Sequence, residues 1–459
     1  MTDGVAARGV TAAARGGRGS GPSTGRAARG RADEAPGEPA AGPDGEPDRV
    51  SSGARRARMR RRAATGASRS GRGGPVSAAA FGPGRVNLVG EHTDYNDGLC
   101  LPFAIELGVT VRARPAPDGL IRVHAADIGA HDVFVADAPA RADGWRSFAR
   151  GVVAELAAAG YPVRPARLSV VGTLPRGAGM SSSAALEVAL VLALLAHSGY
   201  GEPDRLELAQ LLSRVENTWV GARTGLLDQT ASLFGRPGHA LRLDIRALTG
   251  GAETVPEPAA EPVGPAARDG RAVPRPPGRW LSGPAGRPVP GIEPVRLDLG
   301  RWRLVTVDSG VRHAIAASGY NTRREECARA CELLGISSLR DADEDAPGRL
   351  PEPLGRRVRH VLDENERVRR AVAALRGGDL PELGRLLDAS HASLRDNYEV
   401  SVPAVEETVA RLTAAGAAGA RLVGGGFGGS VLALFPPGKR PPVEALRVVP
   451  SGPGRLVRR

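Results

Sequence analysis

The 459-residue chain contains a single lysine, Lys439. A phosphate-binding P-loop needs Gly-Lys followed by Ser or Thr, and Lys439 is followed by Arg440. A protein-kinase strand lysine is excluded equally, because nothing before residue 439 can supply it. Any nucleotide must therefore be held without a phosphate-binding lysine. Cysteine is almost as scarce. Cys100, Cys327 and Cys331 are too few to staple a chain of this size, which points to reduced thiols and a cytoplasmic location. Cys327 and Cys331, one helical turn apart without further ligands nearby, read as ordinary helix residues. No apolar run approaches the roughly 20 residues of a membrane span, and the Arg-, Gly- and Pro-rich N-terminus lacks the apolar core of a signal peptide. No membrane partner is expected.

The net charge of +12 suggests a nucleic-acid binder until it is divided along the chain. Residues 1–75 hold 15 Arg against 7 carboxylates, while the remainder carries 47 basic against 43 acidic residues. The surplus thus belongs mainly to a tail that has almost no large apolar residue and is expected to be disordered. That tail has no aromatic residues for base stacking, so nucleic acid is expected only as a non-specific contact through it.

From Ala78 onward apolar runs alternate with Gly and Pro. Strands are expected around Val86–Val89, Leu101–Ile105, Val109–Ala113, Leu168–Val171 and Val431–Phe435. Helices fit Trp145–Ala158, Ser182–Leu195, Leu206–Val220, Arg323–Leu334, Arg356–Leu375 and Ala404–Ala415. A Pro- and Gly-rich stretch, 250–293, has no periodicity and interrupts two strand-like runs, "ALRLDIRAL" and "WRLVTVDSG". The organisation read from this is a tail (1–75), an N-terminal α+β domain (76–249), an insertion or linker (250–293) and a C-terminal α+β domain (294–459). Mixed strands and helices in two halves place the fold in the α+β class.

Four stretches carry chemistry. "GRVNLVGEHTDYNDG" runs from a buried-looking strand into a loop bearing Glu91, His92, Asp94 and Tyr95. "LPRGAGMSSSAALEVALVLALLAH" joins a Gly-rich loop to three serines and a long apolar helix. Serine at a helix start caps free N–H groups, and those groups with the helix dipole form an anion site. Plain capping needs no glycines for close backbone approach, whereas a phosphate cradle does. Arg176, Gly177, Ala178, Gly179, Met180, Ser181, Ser182 and Ser183 are accordingly read as ATP-binding. "VGGGFGGSVLALF" packs five glycines into six residues before a strand, which fits either a tight turn or close approach to a ligand. In "RVENTWVGARTGLLDQTASLFG", Asp228 is either a helix cap or a working carboxylate.

Together these suit phosphoryl transfer, which needs a phosphate cradle, a divalent metal, a base and a cation. Ser182 and Glu216 are the candidate ligands for Mg2+, which takes few protein ligands and keeps waters. Asp228 is the candidate base and Arg85 the cation.

"GRVNLVGEHTDYNDGLCLPFAI", "GAGMSSSAALEVA" and "GGGFGGSVLAL" resemble the three motifs of the galactokinases, members of the GHMP small-molecule kinase superfamily. "GLLDQTASLFG" and "SGVRHAIAASGYNTRREEC" follow in the expected order. The resemblance implies a two-domain GHMP-kinase-like fold with the active site in the interdomain cleft, galactose and ATP as partners, and a monomer. It implies that Glu91, His92 and Asp94 bind the sugar with Tyr95 beside them, that Gly225 and Tyr320 complete the pocket, and that Asp228 is the base with Arg85 next to it. It also leaves room for a relative acting on N-acetylgalactosamine or arabinose, and for a non-catalytic galactose and ATP sensor. The chain departs from the family in residues 1–75, in its long 250–293 stretch, in Ser430 where cysteine is common, and after Phe435, where a helix and closing strand are expected and the segment looks shortened.

Overall fold

The computed structural model describes residues 76–175, 177–250, 288–311 and 316–457, with the backbone alone at 316–318. The tail 1–75, Arg176 and residues 251–287 of the insertion lie outside them.

The first half opens with β1 (Ala78–Asn87), β2 (Leu99–Cys100), β3 (Pro102–Pro115), β4 (Leu120–Ala125) and β5 (Ala130–Val135). After α1 (Arg146–Ala158) and β6 (Ala166–Gly172) come α2 (Ser182–His197), α3 (Arg205–Arg214), α4 (Leu227–Phe234), β7 (His239–Asp244) and α5 (Ile245–Thr249). Helix α2 is apolar almost all round, as a helix buried on most of its circumference must be. It packs directly on β1, where Gly82 makes room: a Cβ there would lie 2.1 Å from the Ala185 carbonyl oxygen.

The second half contains β8 (Ile292–Arg296), β9 (Arg303–Asp308), α6 (Ala316–Leu334), α7 (Leu354–Gly377), α8 (Leu380–Asp396) and α9 (Pro403–Ala414). It ends with β10 (Gly419–Leu422), β11 (Ser430–Phe435), β12 (Leu446–Arg447) and β13 (Arg455–Leu456). The strands form a six-stranded sheet in the order β13-β1-β3-β6-β4-β5, a four-stranded sheet β10-β11-β9-β12 and a three-stranded sheet β2-β7-β8. One apolar cluster lies under the six-stranded sheet, another in the C-terminal half. A third joins the halves: Val86, Leu88 and Phe103 pack with Leu304, Val372, Leu387 and Leu432.

Several boundaries shift from the expected ones. The strand expected over Val86–Val89 ends at Asn87, yet Leu88 and Val89 stay buried and exchange backbone hydrogen bonds with Leu101. The two strands expected over 101–113 are one continuous β3, paired with β1 through a register shift between Pro83 and Arg85. The helix expected to reach Val220 becomes π-helical from Val215. Helix α8 was not anticipated, and residues 288–293 of the insertion already belong to the fold, with Val289 buried and β8 starting at Ile292. After Phe435 the described residues form two short strands: β12 extends the β9 sheet edge and β13 pairs with β1. Among the described residues no helix is long and apolar enough to cross a membrane.

Candidate active site

Residues 88–98 leave β1 as a loop held by side chains at several backbone groups. The Thr93 hydroxyl donates toward the Gly90 and Leu99 carbonyls at 3.0 and 2.7 Å, and Asn96 Nδ2 donates to the His92 carbonyl at 2.8 Å. The C-terminal half holds it from outside. Glu364 Oε1 accepts from Gly90 N at 2.8 Å, Asn365 Oδ1 from Leu99 N at 2.7 Å, and a His360 ring nitrogen lies 3.1 Å from the Glu91 carbonyl. His92 is thereby kept at φ 61°, a left-handed conformation that costs a non-glycine residue about 1–3 kcal/mol.

That loop walls a cavity of about 280 Å³ lined by Arg85, Glu91, His92, Asp94, Asp228, Tyr320 and Gly425, among others. Glu91 Oε1 accepts from Gly424 N at 2.8 Å and lies 3.2 Å from Nη2 of Arg421, a fully buried arginine on β10. Burial raises the Asp94 carboxyl to about 7, with the Asp228 and Glu91 charges adding to it and Arg324 and Arg85 opposing. Tyr320 covers one side, its ring 5.2 Å from that of His92.

A second cavity of about 200 Å³ is lined by Leu174, Pro175, Gly177–Ser183 and Gly424. Here backbone does the shaping. Gly179 has φ +72°, and a Cβ on it would lie 2.5 Å from the Val423 carbonyl oxygen, while one on Gly424 (φ +81°) would lie 2.9 Å from the Gly179 oxygen. The two Gly-rich loops thus touch main chain to main chain, as only glycines allow.

Arg85, Asp228 and Gly425 line both cavities. The register shift in β1 aims Arg85 into the cleft. Its Nε donates to Asp228 Oδ1 at 2.7 Å and its Nη1 to the Gly179 carbonyl at 2.5 Å. Burial would lower the guanidinium, but the Asp228, Glu91 and Asp94 carboxylates hold it above its usual value.

Neither Asp228 nor Ser181 caps a helix. Asp228 sits in the first turn of α4 without capping it, and its Oδ2 accepts from the Ser181 hydroxyl. Ser181, the residue preceding α2, makes no side-chain cap either, because its hydroxyl points at Asp228. Tyr95 does not line the first cavity, and its hydroxyl is engaged by His92 and Tyr398 at 2.9 Å each. Gly225 is likewise absent from the lining, but a Cβ there would come within 2.3 Å of Asp94 Oδ2, so its bareness seats that carboxylate.

Ser182 is exposed at the second cavity, and Glu216 is buried, accepting from Thr224 Oγ1 at 2.5 Å and from Ser183. Nearby, Glu187 Oε1 and Gln229 Oε1 are buried acceptors with no partner. The braces Arg421, Glu364, Asn365, His360 and Tyr398 were missed in the sequence. Except for Tyr398, which follows α8, their signal is a polar residue on a helix face or strand, which does not say what it supports.

Comparison with known proteins agrees with this geometry. The GHMP kinases N terminal domain profile matches residues 147–236 and the GHMP kinases C terminal profile residues 371–449. A mevalonate kinase from Methanococcus jannaschii shares the fold at TM-score 0.53 and 14% identity, over 83% of this chain and all of that one. The molecule is thus a two-domain GHMP-type kinase fold.

The galactokinase galactose-binding signature profile matches residues 70–115. A galactokinase from Roseiflexus sp. (strain RS-1) is 40% identical over 80% of this chain and 84% of its own length. One from Mycobacterium tuberculosis (strain ATCC 25177 / H37Ra) is 39% identical over 77% and 88%. The crystal structure of Lactococcus lactis galactokinase complexed with galactose superposes at TM-score 0.68 with 28% identity, over 83% of this chain and 95% of that one. The chain belongs to the galactokinase family and is an ATP-dependent sugar kinase.

Proposed function

We propose that the chain transfers the γ-phosphoryl group of ATP to the anomeric hydroxyl of galactose, giving galactose 1-phosphate and ADP. The observation that carries this reading is the wall shared by the two cavities: Asp228 and Arg85 border both. An acceptor hydroxyl held in the sugar-side cavity and a phosphoryl group on the Gly177–Ser183 loop would meet at that wall. Asp228 is the proposed base. Arg85 Nε and Ser181 Oγ already donate to its two oxygens, and a carboxylate keeps further lone pairs for a sugar hydroxyl. Positioning and charge stabilisation dominate phosphoryl transfer, and Arg85, buried and cationic beside both sites, supplies charge where it develops. Glu91, His92, Asp94 and Tyr320 are the proposed sugar-binding residues, with Gly225 making room for Asp94.

Mg2+ would be held by Ser182 and Glu216. The fit rests on hard oxygen donors and on the unpartnered Glu187 and Gln229 oxygens beside Glu216, a cluster of electron-rich groups suited to a hard cation. When bound, the ion screens the phosphate charges. The domain limits 76–249 and 294–459 remain part of this proposal, adjusted at β8.

The test is coupled ADP release across galactose, glucose, N-acetylgalactosamine and arabinose. Strong preference for galactose is expected. Equal use of glucose, or preference for N-acetylgalactosamine, would reject the substrate, and absence of turnover with bound ATP and sugar would favour a sensor.

A further inference from the structure

His92 is 3% exposed at the sugar-side cavity, and its Nε2 makes no hydrogen bond of good geometry, its nearest polar neighbour being the Gly425 backbone on the same cavity wall. Its other ring nitrogen begins a chain of hydrogen bonds leading away from that cavity. Nδ1 lies 2.9 Å from the Tyr95 hydroxyl, which lies 2.9 Å from the Tyr398 hydroxyl. The Tyr398 hydroxyl lies 3.0 Å from Cys327 Sγ, and Asn96 Nδ2 reaches the same sulfur at 3.8 Å. Cys327 and Tyr398 are buried.

Distances alone leave the direction of these bonds open, and the far end favours one order. An amide NH2 only donates, so the Cys327 sulfur accepts from Asn96 and the thiol proton is left for the Tyr398 oxygen. Tyr398 then donates to Tyr95, and Tyr95 to Nδ1 of His92. The reverse order would give the sulfur two donors and turn the thiol proton away from the Tyr398 oxygen. Burial reinforces the count by keeping every member neutral. It pushes the Cys327 thiol up to about 12 and the Tyr95 and Tyr398 phenols well above their ordinary value, and with nearby positive groups it holds His92 well below its own.

We infer that Cys327, Tyr398 and Tyr95 form a one-way hydrogen-bond relay that fixes His92 as the Nε2–H tautomer, so that it serves as a hydrogen-bond donor to the sugar. Tyr95, Tyr398 and Cys327 are positioning residues in this scheme. The consequence is chemical: Glu91 and Asp94 as carboxylates can only accept from sugar hydroxyls, whereas His92 offers a donor to a sugar oxygen beside them. The inference rests on the galactokinase reading for the identity of the sugar, but the tautomer does not.

The test uses full-length protein labelled with 15N in the histidine rings, with two-bond proton–nitrogen spectra reporting which ring nitrogen carries the proton. The His92 signal is assigned by its loss in His92→Gln. In sugar-free wild type, His92 should be protonated at Nε2 and bare at Nδ1. Tyr95→Phe and Cys327→Ala should give mixed tautomers, and Cys327→Ser, which keeps a donor, should restore Nε2–H. Protonation at Nδ1 in wild type overturns the relay, and so does an unchanged tautomer in Tyr95→Phe.

A second readout uses galactose analogues with each hydroxyl replaced in turn by hydrogen or fluorine. At the position that accepts from His92, fluorine should be tolerated better than hydrogen, and Tyr95→Phe should erase that difference. KM for galactose should rise about tenfold with kcat nearly unchanged, as for a lost binding hydrogen bond. A fall in kcat at constant KM would overturn the positioning role. If galactose is not used at all while the tautomer is as expected, the substrate assignment fails and the relay stands.

Discussion

The two cavities that meet at Asp228 are built by opposite means. The phosphate side is shaped by main chain, with glycines at positive φ letting Gly179 and Gly424 lie against each other's loops. The sugar side is shaped by side chains, each held from behind by a second buried group: Glu91 by Arg421, His92 by Tyr95, and the loop backbone by Glu364 and Asn365. A main-chain cradle recognises what every nucleotide triphosphate shares. A braced ring of carboxylates and an imidazole can reject a sugar by leaving a buried polar group unpaired. Perturbing one side should therefore move one substrate's parameters and spare the other's.

The wall common to both sides should show the largest effect. Asp228→Asn keeps the shape and loses the proton acceptor, so kcat should fall by about 10²–10⁴-fold with sugar and ATP binding mostly retained. Calorimetric binding beside single-turnover kinetics checks this, and a few-fold loss of turnover would reject Asp228 as base.

Next in size is the brace behind the sugar side. Arg421→Met leaves the Glu91 carboxylate buried with one partner fewer, and removing one member of such a pair costs about 3–5 kcal/mol. A lower Tm and a KM for galactose raised about a hundredfold are expected, with KM for ATP within about threefold. If both KM values rise together, the two cavities are not independent and the comparison fails.

The phosphate side is probed by Gly179→Ala, which places a methyl group 2.5 Å from the Val423 oxygen at φ +72°. Strain of about 1–3 kcal/mol should raise KM for ATP by about tenfold or more and leave galactose binding, measured without nucleotide, unchanged. A shift in galactose affinity alone would show that the loop serves the wrong substrate.

These contrasts also explain what the sequence disclosed. The proposed phosphate loop could be singled out because its pattern is local: glycines, serines and a helix start lie within ten residues. The proposed sugar residues could be singled out by resemblance and by an unusual density of polar groups after an apolar strand. Their braces were not, because Arg421 and Glu364 lie 330 and 273 positions away from Glu91 and no periodicity links them. The partner of Ser181 was hidden for a similar reason. A serine before a helix is a cap by default, and only the approach of Asp228 from α4 gives its hydroxyl a better acceptor. Helix α8 escaped notice behind the long α7 pattern, from which only the Gly377–Gly378 break separates it.

The smallest effect expected is a pH dependence confined to the sugar side, and its sign follows from Asp94. Burial, aided by Asp228 and Glu91, raises this carboxyl from an ordinary 3.8 to about 7 in the sugar-free protein. If the ionised form binds the sugar, the competent fraction is about one in ten at pH 6 and about nine in ten at pH 8. KM for galactose should then fall about tenfold over that interval, while KM for ATP changes little. Stability runs the other way. The folded protein holds this proton between pH 3.8 and about 7 and the unfolded chain does not, so Asp94 costs stability progressively as pH rises through that window. Asp94→Asn should therefore abolish the pH slope of KM at the expense of sugar affinity. It should also raise the Tm of the sugar-free protein at pH 8, with the gain shrinking toward pH 4. A flat KM profile in the wild type, or an Asn variant that melts lower at pH 8, would show that Asp94 is not the strained carboxylate of the sugar side.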